Sequence, residues 1–254
     1  MHKLSVITIN YNNRQGLAGT FASVFSQAFT DFEYIVIDGG STDGSVALIE
    51  AHAARISHWV SEPDKGIYDA MNKGLAAASG QYLNFLNSGD CFLSPQTLDT
   101  CIRQLAAQPE IDILYADIHL ITDSSPVPEL YTHPADLTLR YFKKDILNHQ
   151  ASLIKASLFR ELGNFPLQYK LAGDYWFYLK SFLAGKQFVY MNFVMVLYDF
   201  NGVSLSSSNH YLTEMNEIWN TLVPVKLRRG IDARTAFKRS RLGRVYAKLS
   251  TLFK

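Results

Sequence analysis

The feature that most constrains this chain is a repeated alternation in its first half. Short apolar or β-branched runs are each followed by a polar loop and then by residues at helical spacing. Leu4–Ile9 is such a run, with Asn10-Tyr11-Asn12-Asn13 as its exit and Leu17, Phe21, Val24, Phe25 and Ala28 on one helical face. Tyr34–Ile37 leads to the loop Asp38–Ser45 and a helix over about Val46–Ala54. Ile56–Val60 leads to Ser61–Gly66 and a helix through Ile67, Ala70, Met71, Gly74, Leu75 and Ala78. Gln81–Asp90 is a fourth strand that breaks into Asn87-Ser88-Gly89-Asp90, and Ile111–Ala116 is a fifth. Between them, Ser94-Pro95 has the composition of a helix start, a capping residue followed by proline. Strands separated by helices are joined most simply as a mostly parallel, doubly wound sheet.

That topology has a chemical consequence. In an open parallel sheet all strands end on one rim, and ligands bind beyond those carboxyl ends. The four loops Asn10–Asn13, Asp38–Ser45, Ser61–Gly66 and Asn87–Asp90 are therefore expected together, lining a cleft. Three familiar ligand loops are absent. Asn10–Asn13 holds no glycine, which excludes a G-x-G-x-x-G dinucleotide site. Gly39 and Gly44 have P-loop separation, but Ser45 stands where a phosphate-binding lysine is required. No G-x-S-x-G is present at a strand-to-helix turn. Taken alone, Asn87–Asp90 reads as an ordinary turn with Asp90 capping the next segment. At a strand's carboxyl end, with no Lys or Arg beside it in sequence, Asp90 also suits a divalent cation that holds phosphates.

The second half is less regular. Ser124–Pro128 reads as a hairpin tip, Gln150–Ile154 as a short strand feeding the helix Ala156–Leu162, and Leu171–Leu183 as an aromatic helix starting near Gly173-Asp174. Gln187–Tyr190 and Val194–Tyr198 are two further strand candidates, Ser204–Ser208 a serine-rich loop and His210–Leu222 a helix. We divide the 254 residues into one domain over 1–222, in two halves over 1–117 and 118–222, and a basic helical extension over 223–254. In that extension Lys226, Arg228, Arg229, Arg234, Lys238, Arg239, Arg241, Arg244, Lys248 and Lys254 face only Asp232, although the net charge of the whole chain is +1. Its cations alternate with Leu227, Ile231, Phe237, Leu242, Val245, Tyr246, Leu249 and Phe253. Such a segment suits an anionic membrane surface or packs on protein; no nucleic-acid module accompanies it, and no nucleic-acid partner is expected. Two cysteines and a start that enters a strand directly point to a reducing compartment, so the expected place is the cytoplasm, peripheral on the inner face of the plasma membrane if the extension binds lipid.

The blocks SVITINYN, IVIDGGSTDGS, SEPDKGIYDAMNKG and YLNFLNSGD, in this order and spacing over Leu4–Cys91, resemble the family 2 glycosyltransferases of the GT-A fold. Asn148-His149-Gln150 followed by LAGDYWFYLK resembles the acceptor half of the same family. The resemblance implies a Rossmann-like, mostly parallel central sheet flanked by helices with a smaller acceptor-side α+β portion. It also implies an inverting transfer from a nucleotide-diphosphate sugar, a UDP-sugar, to a hydroxyl of a glycan or lipid-linked glycan in surface polysaccharide synthesis. Asp38 matches the acid that recognises the nucleotide, and Asn10, Tyr11 and Asn13 would line the base pocket; each is equally a turn-forming residue. Asp64, Lys65 and Gly66 match the loop closing over the nucleoside, and Asp69 and Asn72 would reach the donor sugar or serve as solvated or capping residues. Asn87, Ser88 and Asp90 match the metal and donor loop. Asn87 and Gly89 stand where acids often sit, so Asp90 alone would hold Mg2+ or Mn2+, with the diphosphate and water completing the shell. His149 and Gln150 match a pair near the diphosphate or acceptor, and Asp174 matches the catalytic base, partly desolvated by Tyr175, Trp176 and Phe177. The alternatives kept open are a sugar nucleotidyltransferase and a degenerate nucleotide-binding protein that works by interaction at a membrane.

Overall fold

The computed structural model describes residues 3–122, 125–199 and 208–231. The strands are β1 Leu4–Asn10, β2 Phe32–Asp38, β3 His58–Ser61, β4 Tyr82–Phe85, β5 Cys91–Phe92, β6 Ile113–Thr122, β7 Ser125–Tyr131, β8 Ser152–Lys155 and β9 Phe188–Asp199. The helices are α1 Arg14–Phe25, α2 Ser45–Ala51, α3 Ile67–Ala77, α4 Thr97–Ala107, α5 Leu139–Phe142, α6 Ser157–Leu162, α7 Gly173–Leu183 and α8 Ser208–Leu222.

The strands form one sheet in the order β3-β2-β1-β4-β8-β6-β9-β5, with β7 paired to β6. β1 pairs in parallel with β2 and β4, and β2 with β3, as the alternation requires. β8 then enters antiparallel between β4 and β6, so the fifth predicted strand is not a direct neighbour of the fourth. β9 returns parallel to β6 and passes antiparallel to β5.

β1, β2 and β4 are buried on both faces, which is why they read as continuous apolar runs rather than alternating ones. Ile7, Ile9, Ile35 and Ile37 face a core completed by Met71 of α3, Phe159 of α6, Phe177 of α7 and Trp219 of α8. Val6, Tyr34 and Val36 face Leu17, Phe21 and Val24 of α1, Ile49 of α2 and Leu98 of α4.

Four expectations are corrected. α4 begins at Thr97, because Pro95 and Gln96 form a turn ahead of it and the Ser94 carbonyl accepts from Thr97 N. Pro126 and Pro128 lie inside β7 rather than at a hairpin tip; β7 is paired on one side only, where a missing N–H removes no ladder bond. The candidates Gln187–Tyr190 and Val194–Tyr198 are one strand, β9, whose register against β6 shifts near Ala116 and Asp117. The fourth strand proper stops at Phe85. Residues 204–207 of the serine-rich segment and 232–254 of the basic extension lie outside the described residues, while Ser208, expected in the loop, opens α8. Among the described residues no helix is long and apolar enough to cross a membrane.

Candidate active site

Parallel register sets Asn10, Asp38 and Ser61 side by side at the ends of β1, β2 and β3. Asp38 is fully buried. Its Oδ1 accepts from Asn10 Nδ2 at 2.7 Å and Ser41 Oγ at 2.6 Å, and its Oδ2 from Ser61 Oγ at 2.6 Å, Ser41 N at 2.8 Å and Gly40 N at 3.2 Å. Burial would raise this carboxyl, but the hydrogen bonds from Ser41, Ser61 and Asn10 outweigh it and hold Asp38 below its ordinary value. The structure thus places Asp38 as the knot of three exit loops, with both oxygens already engaged by protein donors. Asn10 keeps one buried atom, Oδ1, with no hydrogen-bond partner among the described residues.

Other predicted nucleotide residues divide into framework and rim. Asn13 caps α1 through Gly16 N at 3.1 Å and donates from Nδ2 to Ser88 O at 3.0 Å, stitching the first exit loop to the fourth. Tyr11, 66% exposed, presents an open aromatic face on the rim. Asp64 Oδ1 accepts from Gly66 N at 2.9 Å, and Asp69 Oδ2 from the exposed Lys65 at its backbone N, 3.0 Å away, so this loop is braced by its own acids. Asn72 does not point to a donor sugar. Its Nδ2 donates to Phe165 O at 2.8 Å and its Oδ1 accepts from Phe165 N at 3.1 Å, which spends the amide on joining α3 to the segment before α7.

The loop after β4 explains its own departure from an acidic motif. Gly89 has φ +106°, in the left-handed region where a side chain is strained, so an acid there is disfavoured by the backbone. A Cβ at that position would stand 3.4 Å from Asn13 Nδ2 and 3.4 Å from Asp199 Oδ2. The second carboxylate therefore arrives through space. Asp199, last residue of β9, donates its backbone N–H to Asp90 Oδ1 at 3.1 Å. Asp90 is 3% exposed. Burial pushes its carboxyl well above the ordinary range, the Asp199 charge adds to the rise, and hydrogen bonds from Asp199 N and the Gln150 side chain oppose it. Among the described residues no group of three or more His, Cys, Asp or Glu side chains could hold a metal. Two oxygen-bearing acids, one with its charge disfavoured by burial, fit a hard cation that keeps water and phosphate among its ligands.

The residues matched to the acceptor half converge on the same place. Asp174 lies in the first turn of α7, where the N-terminal helix dipole favours a negative charge. Its Oδ1 accepts from Tyr68 OH and Tyr175 N, each at 2.8 Å, and its Oδ2 meets His149 Nδ1 at 2.9 Å. His149 Nε2 in turn lies 3.1 Å from Asn87 Nδ2. With the amide donating to Nε2, the ring proton belongs on Nδ1, facing Asp174. The chain Asp174–His149–Asn87 thus ties the carboxylate on α7 to the loop that ends in Asp90. Gly173 permits this contact, since a Cβ there would stand 2.8 Å from the Tyr68 ring. The aromatic residues after Asp174 do not shield it as expected. Tyr175 and Phe177 turn into the core, where Phe177 stacks on Phe159 with ring centroids 4.2 Å apart, and Trp176 packs under Lys180.

Sequence reasoning missed Tyr68 and Asp199. Tyr68 sits inside a quoted block, on the apolar face of α3, where a tyrosine reads as core. Asp199 carries the same signal as Asp90, an acid closing a strand, but its strand appeared as two fragments.

The sequence model of the family described as "Glycosyl transferase family 2" matches residues 5–190. An uncharacterised glycosyltransferase of Mycobacterium tuberculosis is 36% identical over 203 residues, covering 79% of this chain and 76% of that protein. The UDP-Glc:alpha-D-GlcNAc-diphosphoundecaprenol beta-1,3-glucosyltransferase WfgD of Escherichia coli is 27% identical over 225 residues, covering 86% of this chain and 85% of its own. Among solved structures, Staphylococcus aureus TarS in complex with UDP-GlcNAc aligns with a TM-score of 0.72 at 20% identity, over 94% of this chain and 74% of that one. The mannosyltransferase PcManGT of Pyrobaculum calidifontis, in complex with GDP-Man and Mn2+, aligns with a TM-score of 0.62 at 14% identity, over 98% of this chain and 84% of that one. These structural likenesses give the fold, which is GT-A.

Proposed function

Because the chain belongs to glycosyl transferase family 2, we propose that it moves a sugar from a UDP-sugar, with inversion, to a hydroxyl of a glycan or lipid-linked glycan during surface polysaccharide assembly. The names of two relatives support this reading: WfgD is described as using UDP-Glc and a diphosphoundecaprenol-linked sugar, and a Mycobacterium bovis relative at 28% identity as a PGL/p-HBAD biosynthesis glycosyltransferase. The observation that carries it is the hydrogen-bonded chain from Asp174 through His149 to Asn87, which puts one carboxylate beside the donor loop.

In this reading Asp174 is the general base. Oδ1 is filled by Tyr68 and Tyr175, while Oδ2 holds His149 and retains a second lone pair for the acceptor hydroxyl. As the acceptor oxygen bonds to the anomeric carbon, its proton passes to Oδ2 and the bond from that carbon to the diphosphate oxygen breaks. His149 and Tyr68 hold the carboxylate in one orientation, so little reorganisation accompanies the step. Tyr11 stacks on the base from the rim, while Asn10, Asp38 and Asn13 shape the pocket from beneath, with Asp64, Lys65 and Gly66 at its edge and Ser88 and Gln150 flanking the diphosphate. Asp90, with Asp199, would hold Mg2+ or Mn2+, whose charge stabilises the departing diphosphate. The basic 226–254 segment would bring the enzyme to an anionic membrane surface on the cytoplasmic side, where a lipid-linked acceptor is presented.

Turnover of a panel of UDP-sugars with glycan acceptors, in Mn2+, tests the reading. Asp174→Asn should lower kcat by about 10^2- to 10^4-fold while UDP still binds. Full transfer by that variant removes Asp174 as base, and an intact protein that neither transfers nor slowly hydrolyses any donor supports the degenerate alternative.

A further inference from the structure

The segment that delivers Asp174 has no regular structure of its own. Residues 163–172 lead into α7, and its N-cap residue, Ala172, offers no side-chain hydrogen bond to the helix start. Three successive backbone N–H groups of this segment instead converge on one carboxylate of another helix. Glu214, on α8, accepts from Lys170 N at 2.8 Å through Oε1, and from Leu171 N and Ala172 N, both at 2.9 Å, through Oε2. Its carboxylate is buried, with the residue 5% exposed, so it persists there because those donors replace water. One turn earlier on α8, His210 Nε2 lies 3.1 Å from Oε1 and completes the set.

The same segment is gripped from the opposite side by the base's own partner. Leu171 O accepts from Tyr68 OH at 2.9 Å, the hydroxyl that also reaches Asp174 Oδ1. Glu214 thus fixes the N–H side of residues 170–172 while Tyr68 fixes the carbonyl side, and Asp174 follows two residues later. Glu214 also lies beyond residues 5–190, outside the stretch that matches the family.

We infer that Glu214 is a positioning residue for the general base, and that α8 is thereby part of the catalytic apparatus. The inference rests on Asp174 as base. A carboxylate that takes a proton during attack must hold its place within a fraction of an ångström, and a displacement of about 1 Å costs up to about 100-fold in rate. Replacing the Glu214 carboxylate by an amide removes one acceptor and turns N–H donors toward N–H donors, so the segment must shift.

The experiment uses the full chain, the UDP-sugar of a panel that gives the highest turnover, and UDP with MnCl2 as the binding probe. Glu214→Gln is expected to lower kcat by about 10- to 100-fold, leaving the KM for donor and the calorimetric affinity for UDP unchanged. Combined with Asp174→Asn, it should lower the residual rate no further than Asp174→Asn alone, because both changes act through one group. Wild-type kcat in Glu214→Gln overturns the inference, and so does a full multiplicative loss in the double variant. If Glu214→Gln does not fold, Glu214→Asp keeps the charge and shortens the reach, and is held to the same criteria. Loss of UDP binding in step with turnover in both variants also overturns it, since α8 would then only hold the fold. An active Asp174→Asn refutes the base assignment itself, whereas an inactive Asp174→Asn beside a fully active Glu214→Gln refutes only the role of Glu214.

Discussion

In the proposed reading, the rim that would take the donor and the side that carries Asp174 are built by opposite means. On the rim, strands β1 to β4 deliver their exit loops to one edge through regular parallel register, and local knots finish the work: Asp38 gathers Asn10, Ser41 and Ser61, and Asn13 ties Ser88. On the base side little is local. Asp174 is held by Tyr68, 106 residues away, and by His149, 25 residues away, while the segment ahead of it hangs on Glu214, more than 40 residues downstream. Regular topology can gather polar loops without specifying chemistry, whereas a proton-transferring carboxylate needs fixed partners from several elements.

The contrast also appears in two buried acids. Asp38 has donors that outweigh its burial and is held below its ordinary pKa; for Asp90 burial outweighs the hydrogen bonds from Asp199 N and Gln150 and pushes it well above.

The largest effect that could break this division is on the base side. Asp174→Asn should lower kcat by about 10^2- to 10^4-fold with UDP affinity unchanged by calorimetry; equal losses in both would dissolve the distinction between the two regions. Asp38→Ala, in contrast, should act on folding. It strands the Asn10, Ser41 and Ser61 donors and should lower unfolding free energy in urea by about 3 kcal/mol. The pH dependence has a defined sign. Because the folded-state pKa of Asp38 is lowered, its contribution is present above the unfolded value of about 3.9 and disappears as pH falls through the folded value. The stability gap between wild type and Asp38→Ala should therefore close in acid, and a gap that persists at low pH would show that charge is not what Asp38 contributes.

Asp90 should give the reverse sign. Its raised pKa means that the folded protein without metal binds more protons than the unfolded chain, so stability falls as pH rises toward the folded value. Asp90→Asn should remove that slope, and if Asp90 holds the metal, Mn2+ should raise the thermal midpoint of the wild type but not of this variant. It should weaken UDP binding in Mn2+ by about tenfold, equivalent to about 1.4 kcal/mol; unchanged, metal-independent UDP binding would return Asp90 to the role of a turn residue. The smallest change sharpens the rim itself. Tyr11→Ala, at an exposed aromatic face, should cost about 1 kcal/mol of UDP affinity without altering the thermal midpoint or the rate at saturating donor.

Much of the rim was legible because its signals are sequence-local. Apolar runs, exit loops and helical spacing gave the order β1-α1-β2-α2-β3-α3-β4, and the parallel topology followed from short connections. Asp174 and His149 were recognisable only through a resemblance; periodicity would have made Asp174 a helix cap and His149 a structural histidine. Asn72 was misdirected because an amide one turn from Asp69 says nothing about a backbone partner at Phe165.

By itself, then, the sequence determined that four polar loops share one rim, since side-chain period and right-handed crossovers leave few other arrangements. Tertiary structure alone decided which carboxylates meet. Asp199 reaches Asp90 because β9 runs antiparallel to β5, and Asp174 reaches Asn87 through His149 because β8 slips between β4 and β6 and lays the 3-10 turn His149–Ala151 beside the donor loop. Contacts of that kind depend on how distant strands are ordered across the sheet, and strand order is set by packing over the whole fold rather than by any residue's neighbours in the chain.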